Sequence, residues 1–263
     1  MAKYAEFPPL PALAPFVECG WVRSSAAGDS LRVMPDGCVD LYVTSAGAVV
    51  VSGPATRFHD QATHSQGTLV GLRLRAGAAA AVTGHPVDEL RDSRLAVDSA
   101  FGVSGSRLAH DVFAKTDSRQ RVSRLQVALA GHFARVEPVV DRPVAHAIEM
   151  LRAGSTLPVC GVASTVGMSE RQLRRRFAAA VGYGPKRFGR IMRFQRLLDL
   201  IHTDSDRIRW SELAIEAGYA DQPHMINECL AFAGTPPTAL PGATKRAESG
   251  PSVSSNTGGH APS

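Results

Sequence analysis

The feature that most constrains this chain is a short helix, a glycine turn and a second helix, a pattern that occurs twice in its second half. The first copy runs from Val162 through Gly167 to a helix that begins after Ser169, and the second runs from Trp210 through Gly218. The two turn glycines lie 51 positions apart. Two helices joined by a short turn that often contains glycine form the helix-turn-helix motif. The repeat therefore predicts an all-helical region with two helix-turn-helix units.

The second helix of the first unit has a defined start and a clear buried face. Ser169 is followed three residues later by Gln172, which is the capping-box pattern of a helix N-terminus. Leu173, Phe177 and Ala180 recur at helical spacing. Because residues at this spacing share one side of a helix, we expect these three to face the core.

A long helix is predicted between the two units, and the second copy follows it. Gly184-Pro185 starts a helix that we expect over Lys186 to Ile201, with its apolar residues in one stripe. Trp210 to Ala217 is predicted as the first helix of the second unit. Asp221 opens the second helix of that unit, which reaches Phe232.

The net charge of +5 says little as a total, but the charge is uneven along the chain. Residues 1–136 hold 14 basic and 12 acidic side chains and residues 137–240 hold 13 and 11, so each segment has a net charge of +2. Within positions 171–196, however, there are nine basic residues and no acid. They are Arg171, Arg174, Arg175, Arg176, Lys186, Arg187, Arg190, Arg193 and Arg196.

Two interpretations of this basic run compete: a solvated surface and a DNA-binding face. Arg171, Arg174 and Arg175 share the helix side opposite the buried face, together with the small Ala178. Surface helices usually mix Glu with Arg in i,i+4 pairs, and we expect this helix to lack them. Arginine matches phosphate and guanine edges, and an exposed helix start of this kind fits a major groove. The DNA-binding interpretation is therefore favoured.

The first half of the chain predicts short strands followed by helices. Four segments, 31–34, 38–44, 48–51 and 69–75, are interpreted as strands, and the second and fourth alternate apolar and polar residues. Pro35-Asp36-Gly37 and Gly53-Pro54 are turn signals. Short strands with such breaks predict a small sandwich or barrel. Short helices are expected at 78–82, 87–90 and 108–115.

The last helix of the first half is predicted over Gln120 to Val136. Its apolar residues recur in steps of three and four and comprise Val122, Leu125, Leu129, Phe133 and Val136. Such a stripe either packs on its own domain or forms a seam with a second copy of the chain. Both alternatives stay open at this point.

The chain is expected to be an α+β protein with two domains. Glu137-Pro138 and Asp141 to Pro143 mark the boundary. Residues 1–136 form a mainly-β sandwich or barrel with trailing helices, and residues 137–240 form an all-α domain of two helix-turn-helix units joined by a long helix. Residues 241–263 are rich in Gly, Ser and Pro and are expected to be a disordered tail.

This arrangement resembles the AraC/XylS family of transcription regulators over about residues 141–240. The matching residues are Ala163 to Phe177, Gly184-Pro185, Arg190 to Arg196 and Ala214 to His224. In the first half, a subgroup of this family is similar at Cys19-Gly20-Trp21, Met34 to Leu41, Gly53-Pro54 and Gly71 to Gly77. The resemblance implies that residues 137–240 bind DNA and that residues 1–136 act as a sensor or dimerisation domain.

The resemblance also assigns DNA contacts. Base contacts fall on Arg171, Arg174, Arg175, Gln222, His224 and Asn227. Phosphate contacts are expected at Ser169, Gln172, Arg176, Lys186, Arg187, Arg190 and Arg193.

The second unit departs from the family pattern. Asn227 and Leu230 stand where basic residues are common, and Cys229 stands where an aromatic residue or leucine is usual. Positions 222–234 contain no basic residue and one acid, Glu228. We therefore expect the first unit to supply most of the affinity, and the second to add little specificity or to serve mainly for packing.

An alternative function centres on Cys38, which lies between Asp36 and Asp40 after a predicted turn. It is either a packed thiol or a redox sensor or metal ligand with His59 or His64. In the second case the first half would be a redox or metal sensor or an enzyme, with DNA binding secondary. The sequence shows no set of nucleophile, base and orienting group. Its four cysteines form no C-x-x-C pair, which argues against a zinc ribbon, a disulfide scaffold and the methyl-acceptor chemistry of a DNA-repair relative.

Three further residues have two interpretations each. Arg73 and Arg75 share one face of a predicted strand and either lie exposed or bind an acidic effector. Trp21 is either core or a platform for a ligand. Cys38, Arg73 and Arg75 together form the candidate effector site.

Double-stranded DNA is the expected partner. RNA polymerase, a small-molecule effector and a second copy of the chain are further candidates, and no cofactor or metal is expected. The sequence has no apolar run near the ~20 residues of a membrane span and no signal-peptide pattern at its start. A non-enzymatic cytoplasmic regulator is therefore predicted, with its effector, its operator and the direction of control left open.

Overall fold

The computed structural model describes residues 3–62, 66–203 and 209–240. Within them the first half contains ten strands. They are β1 (Lys3–Phe7), β2 (Val17–Ser25), β3 (Ser30–Val33), β4 (Val39–Thr44), β5 (Val49–Ser52), β6 (His59–Ala62), β7 (Gly67–Leu74), β8 (Arg94–Val97), β9 (Ser99–Ala100) and β10 (Val103–Ser104). Six of them form a sheet in the order β1-β2-β7-β4-β5-β8, and β3 pairs with β6 and β9 with β10. All of these pairs are antiparallel.

The described residues also form nine α-helices. They are α1 (Ala79–Thr83), α2 (Gly105–Phe113), α3 (Ser118–Phe133), α4 (Arg142–Arg152), α5 (Val159–Thr165), α6 (Glu170–Val181), α7 (Pro185–Thr203), α8 (Trp210–Ala217) and α9 (Gln222–Ala233). Short 3-10 helices lie at Pro11–Leu13, Val87–Leu90 and Pro237–Ala239. In this part of the chain no helix combines the length and apolar composition needed to cross a membrane.

The predicted α+β layout is confirmed, with a β-rich first half and an all-helical second half. Strands β3, β4, β5 and β7 lie where the sequence predicts them, whereas β1, β2, β6, β8 and the two-residue strands β9 and β10 were missed. Strand β2 was missed because its pattern does not alternate: seven of its nine residues are buried. One face of the sheet is covered by α2 and α3. On the other face Cys19, Trp21 and Tyr42 pack together.

Helix α3 packs on its own domain. Val122, Leu125 and Leu129 are at most 1% exposed and belong to the core that fills the space over the sheet. Gln126, also buried, accepts a hydrogen bond from the backbone N–H of Leu10 at 2.5 Å. The apolar stripe is therefore used inside the chain, and its interpretation as a dimer seam is wrong for these residues.

A second core fills the helical half from Val144 to Leu240, and Met34 of the first half is also buried in it. Two aromatic pairs anchor it, each with ring centroids 5.5 Å apart: Phe177 with Phe188, and Phe194 with Phe232. Helix α7 supplies one ring to each pair, so this long helix packs against both helix-turn-helix units. The first core ends at Leu129, so the domain limits 1–136 and 137–240 stay a prediction that these two cores support. The predicted tail, 241–263, lies outside the described residues.

One segment of the first half, Gly53 to Phe58, contacts the ends of both α6 and α9. Gly182 and Gly234 cap these helices with φ of +94° and +70°. A Cβ atom at Gly182 would meet Pro54, and one at Gly234 would meet Phe58. The backbone N–H of Phe58 also donates to the carbonyl of Phe232 at 2.8 Å. Glycine is needed at both caps because of the backbone conformation and the close approach of this segment.

Candidate nucleic-acid interface

The first helix-turn-helix unit consists of α5, a turn at Gly167 and α6. The predicted capping box is present: the Ser169 hydroxyl accepts from the Gln172 N–H at 3.3 Å, and the Ser169 N–H donates to Gln172 Oε1 at 3.0 Å. Leu173 and Phe177 are fully buried. Cap and core together fix the rotation of α6, so its opposite face is turned toward solvent.

That solvent face carries arginines in two different states. Arg171 and Arg175 are exposed, and the described part of the chain gives neither an ion-pair partner. Arg174 is bound to Glu170 one turn earlier, with Nε and Nη2 at 2.8 and 2.5 Å from Oε1. The expectation that this helix lacks i,i+4 acid–arginine pairs is therefore wrong, because Glu170 stands directly before the basic run.

Arg176 is engaged in an ion pair with Asp141, at the start of α4. Its Nε and Nη2 donate to the two carboxylate oxygens of Asp141, each at 2.7 Å. Asp141 is the N-cap of α4 and also accepts from the Val144 N–H. The pair ties α6 to α4, which argues against the predicted phosphate contact at Arg176.

The basic residues of α7 also divide into two groups. Lys186 and Arg187, in its first turn, are exposed. Arg190 donates to Glu228 of α9 at 2.6 Å, and Arg193 lies 3.8 Å from the same carboxylate. Arg196 donates to the carbonyls of Ala217 and Arg152. The arginines in the middle of α7 thus hold the second unit in place, which argues against the phosphate contacts predicted for Arg190 and Arg193.

The second unit consists of α8, a turn at Gly218 and α9. Asp221 caps α9 by accepting from the His224 N–H at 2.8 Å. Gln222 and Asn227 are exposed. The His224 ring packs edge-on against Tyr219, with centroids 5.4 Å apart. The predicted base-contact positions of α9 therefore face outward or partly outward, on a helix that has no Lys or Arg of its own.

Two departures of the second unit from the family pattern have structural causes. Cys229 is fully buried, and burial raises the pKa of its thiol to about 12, so it serves as a small core residue. Glu228 is only 4% exposed and is enclosed by Arg190, Arg193 and His224. The sequence did carry a signal for this burial, because Glu228 stands beside Cys229 in the apolar stripe of α9.

A groove between the two units brings several predicted contacts together. We call it the inter-unit groove; its volume is about 990 Å³. The predicted contact residues that line it are Arg174, Lys186, Arg190, Arg193, His224 and Asn227. Arg171, Arg175 and Gln222 lie outside this lining, on the exposed faces of α6 and α9. Residues from both second helices and from α7 thus share one surface.

Cys38 has the geometry of a packed thiol. It is buried, its Sγ lies 3.4 Å from Glu18 Oε2, and its N–H donates to Asp36. Burial, followed by the charges of Asp36 and Glu18, raises the pKa of the thiol well above its ordinary value. A thiol that stays protonated is a poor nucleophile and a poor metal ligand, which opposes the redox interpretation.

Of the two histidines proposed as partners of Cys38, only His59 lies in the described part of the chain, and it does not line the cavity of Cys38. His59 lines a different groove, and His64 lies outside the described residues. Within residues 3–62, 66–203 and 209–240, no three His, Cys, Asp or Glu side chains are grouped so that they could hold a metal ion.

Arg73 and Arg75 do not form one exposed face. Arg73 is 5% exposed and lies 3.1 Å from Glu6 and 3.4 Å from Asp40. Burial lowers its pKa, but Asp40 and Asp36 more than offset this, so the pKa is raised and the charge is retained. Arg75 is exposed and donates to the carbonyl of Ala14.

Trp21 belongs to the interior of the first half. It is 6% exposed, and its indole N–H donates to Asp40 at 3.1 Å.

Cys38 and Arg73 line a cavity of about 220 Å³ between the two halves, with Gln195 and Arg196 of α7 on the other side. We call it the interdomain cavity. Two of the three candidate effector residues therefore meet there, and Arg75 does not.

Comparison with known proteins matches two regions of the chain. Residues 162–241 match a family described as a helix-turn-helix domain, and residues 5–96 match a domain of unknown function, DUF6597. No curated protein matches the sequence.

Among solved structures, the chain is similar to apo ToxT K231A from Vibrio cholerae strain SCE256. The identity is 12% and the TM-score 0.47, over 84% of this chain and 95% of that chain. Wild-type ToxT from the same strain, bound to an unsaturated fatty acid, is 11% identical with a TM-score of 0.46, over 82% and 91% of the two chains. Similarity at this level transfers neither ligand nor activity.

Proposed function

We propose that this chain, a DNA-binding transcription regulator with an AraC-type helix-turn-helix domain, binds two adjacent major grooves with α6 and α9 and takes most of its affinity from α6. The observation that carries this proposal is the pair Arg171 and Arg175, which are exposed on a capped, core-anchored helix and have no acidic partner among the described residues. Like charges at i,i+4 destabilise a helix slightly. A DNA phosphate or guanine edge would offset that repulsion.

The proposed base contacts differ in whether the side chain must first break a bond within the protein. Arg171 and Arg175 can each donate two guanidinium N–H groups to a base edge. Arg174 must first exchange its bond to Glu170, so we expect a smaller net gain from it. Gln222, His224 and Asn227 would contact bases from α9 through their side-chain hydrogen-bonding groups.

The proposed phosphate contacts are Ser169 and Gln172 at the start of α6, and Lys186 and Arg187 at the start of α7. Backbone N–H groups and the partial positive charge of a helix N-terminus favour a phosphate there. Arg176, Arg190 and Arg193 are bound to Asp141 or Glu228. We therefore assign these three to the fold of the domain and not to direct contact with DNA.

Regulation by a small molecule would act through the interdomain cavity. An effector there would touch Arg73 and Cys38 of the first half and Gln195 and Arg196 of α7 at the same time. Because Gln195 donates to the carbonyl of Pro35 at 2.7 Å, the cavity wall already links the two halves. Occupation would then change how firmly the DNA-binding half is held.

Genome-wide footprinting would give the operator, and two arginine variants then test the base contacts. We expect Arg171→Ala and Arg175→Ala each to cost about 1 to 3 kcal/mol on the operator and to relax preference at one base. Arg142→Ala, an exposed arginine of α4 outside the basic run, is the matched control and should change little. Equal losses on operator and random duplex would contradict base reading by α6.

A further inference from the structure

A second groove lies where the two halves of the chain meet, and we call it the junction groove. Its volume is about 820 Å³. The first half contributes Arg57, His59 and Arg94, and the second half contributes Arg187, Arg190 and Phe232. Neither the basic run nor the candidate effector site includes the three residues from the first half. The first half therefore adds cationic side chains of its own to Arg187 and Arg190 of the basic run.

The junction groove is strongly cationic. Arg57, Arg94 and Arg187 are all exposed. Asp92 is the one acid among the described residues that line the groove. Its two carboxylate oxygens already accept from the N–H and the hydroxyl of Thr56, at 2.6 and 2.7 Å. Asp92 thus holds the loop through its bonds to Thr56.

The cationic side chains stand on a frame that is held in place. The N–H of Gly53 donates to the carbonyl of Ser93 at 3.0 Å, and the N–H of Asp92 donates to that of Pro54 at 3.2 Å. The N–H of Phe58 is hydrogen-bonded to the backbone of α9. The guanidinium of Arg32 lies over the Phe58 ring, with 4.4 Å between Arg32 Cζ and the ring centroid. A frame fixed in advance loses less entropy when a ligand binds.

The junction groove also continues from the inter-unit groove. Arg190 lines both. Along α9, Ala231 of the junction groove follows Asn227 of the inter-unit groove by one helical turn. The two grooves therefore adjoin each other at Arg190 and along α9.

We propose that the junction groove binds a phosphate-bearing anion, held by Arg57 and Arg94 from the first half and by Arg187 from the second. The planar guanidinium binds phosphate oxygens in pairs, and three such groups match a ligand of charge −2 or more better than a single carboxylate. His59 adds a polar ring beside Arg94, whose Nη2 contacts its Nε2.

Two sources of this chemistry exist, the backbone of bound DNA and a free phosphorylated small molecule. The inference rests on the proposed function only for the first of these. In both cases the first half would do more than sense a signal, because its own arginines would hold part of the anion.

Calorimetric titration of the full chain with pyrophosphate, without DNA, tests the free-anion source. We expect saturable binding that Arg57→Ala, Arg94→Ala and Arg187→Ala each weaken about tenfold. Arg107→Ala, an exposed arginine of α2 away from the groove, is the matched control and should bind as the wild type does.

The salt dependence of affinity for a random duplex tests the DNA source. The double variant Arg57→Ala with Arg94→Ala should flatten the slope of log affinity against log salt by about one to two contacts. Either result alone supports the anion site, and thermal melts check that the exposed substitutions leave the fold intact. The proposal is overturned if pyrophosphate does not bind and the double variant keeps the wild-type slope. A chain that binds no DNA refutes the proposed function, while the pyrophosphate arm still decides on the groove.

Discussion

Helices α6 and α9 have the same length and equivalent internal partners, yet they carry opposite charge. Each has 12 residues, a side-chain N-cap and a glycine at the C-cap. Helix α6 holds four arginines and one glutamate, whereas α9 holds one glutamate and no lysine or arginine. The core constrains both helices to one pattern, and it leaves their solvent faces free to diverge.

The arginines of α7 that lie near the second unit interact with the buried Glu228 of α9. Glu228 draws Arg190 and Arg193 of α7 onto α9, so these arginines attach the second unit to the long helix. Both units also pack on α7 through an aromatic pair, Phe177 with Phe188 in the first and Phe194 with Phe232 in the second. The first unit uses Arg176 for support, in its pair with Asp141, and keeps Arg171 and Arg175 on its surface.

The largest expected effect tests the shared part of the comparison. Phe177→Ala and Phe232→Ala should each lower the free energy of unfolding by about 3 to 5 kcal/mol, because each leaves a large cavity in the same core. Urea unfolding of the full chain measures both. If either variant lost less than about 1 kcal/mol, the two units would not be equivalent in packing.

The next effect tests the support of the second unit. Glu228→Gln should cost about 2 kcal/mol of unfolding free energy, because it leaves Arg190 and Arg193 without their carboxylate; the cost stays below that of a fully buried pair because Arg190 reaches solvent. Glu216→Gln, an exposed acid of α8, is the control. Equal stability of the two variants in urea would show that the ion pair does not attach α9.

A smaller effect compares the two helix starts. Ser169→Ala and Asp221→Ala each remove a side-chain cap and should cost about 1 kcal/mol. Ser169→Ala also removes the bond that the Ser169 hydroxyl donates to Gln172 Oε1, although the backbone N–H keeps its own bond to that oxygen, so we expect it to be at least as costly. Thermal unfolding followed by circular dichroism measures both, and a harmless Ser169→Ala would refute the capping box.

The smallest effect concerns DNA affinity of the second unit. Asn227→Ala should change operator affinity by less than about 0.5 kcal/mol, whereas Arg175→Ala should cost about 1 to 3 kcal/mol. Fluorescence anisotropy with the footprinted operator compares them directly. A loss at Asn227 as large as that at Arg175 would mean that the weakly charged unit reads bases strongly.

Local patterns predicted the helical half well. The cap at Ser169, the buried positions Leu173 and Phe177, and the helix Trp210 to Ala217 all depend on residues close in the chain. The interaction of Arg174 with Glu170 is equally local and was missed, since the count of basic residues began one position too late. Base contacts on α6 and α9 remain predictions.

Contacts between distant residues were out of reach of such patterns. The ion pair of Arg176 with Asp141 joins residues 35 positions apart, and that of Arg190 with Glu228 joins residues 38 positions apart. Nothing in the local sequence of either arginine distinguishes it from Arg171 or Arg175. Arg73 is buried for the same reason, because its acidic neighbours come from three other segments of the first half.

The segment Gly53 to Phe58 lies between the two helix-turn-helix units and contacts both of them. It touches the C-terminal cap of α6 with Pro54 and that of α9 with Phe58, so its length fixes one dimension of the DNA-binding half. DNA offers successive major-groove faces about 34 Å apart. A displacement of this segment would therefore open or close the span between α6 and α9, and the first half would select operators by the spacing of their half-sites.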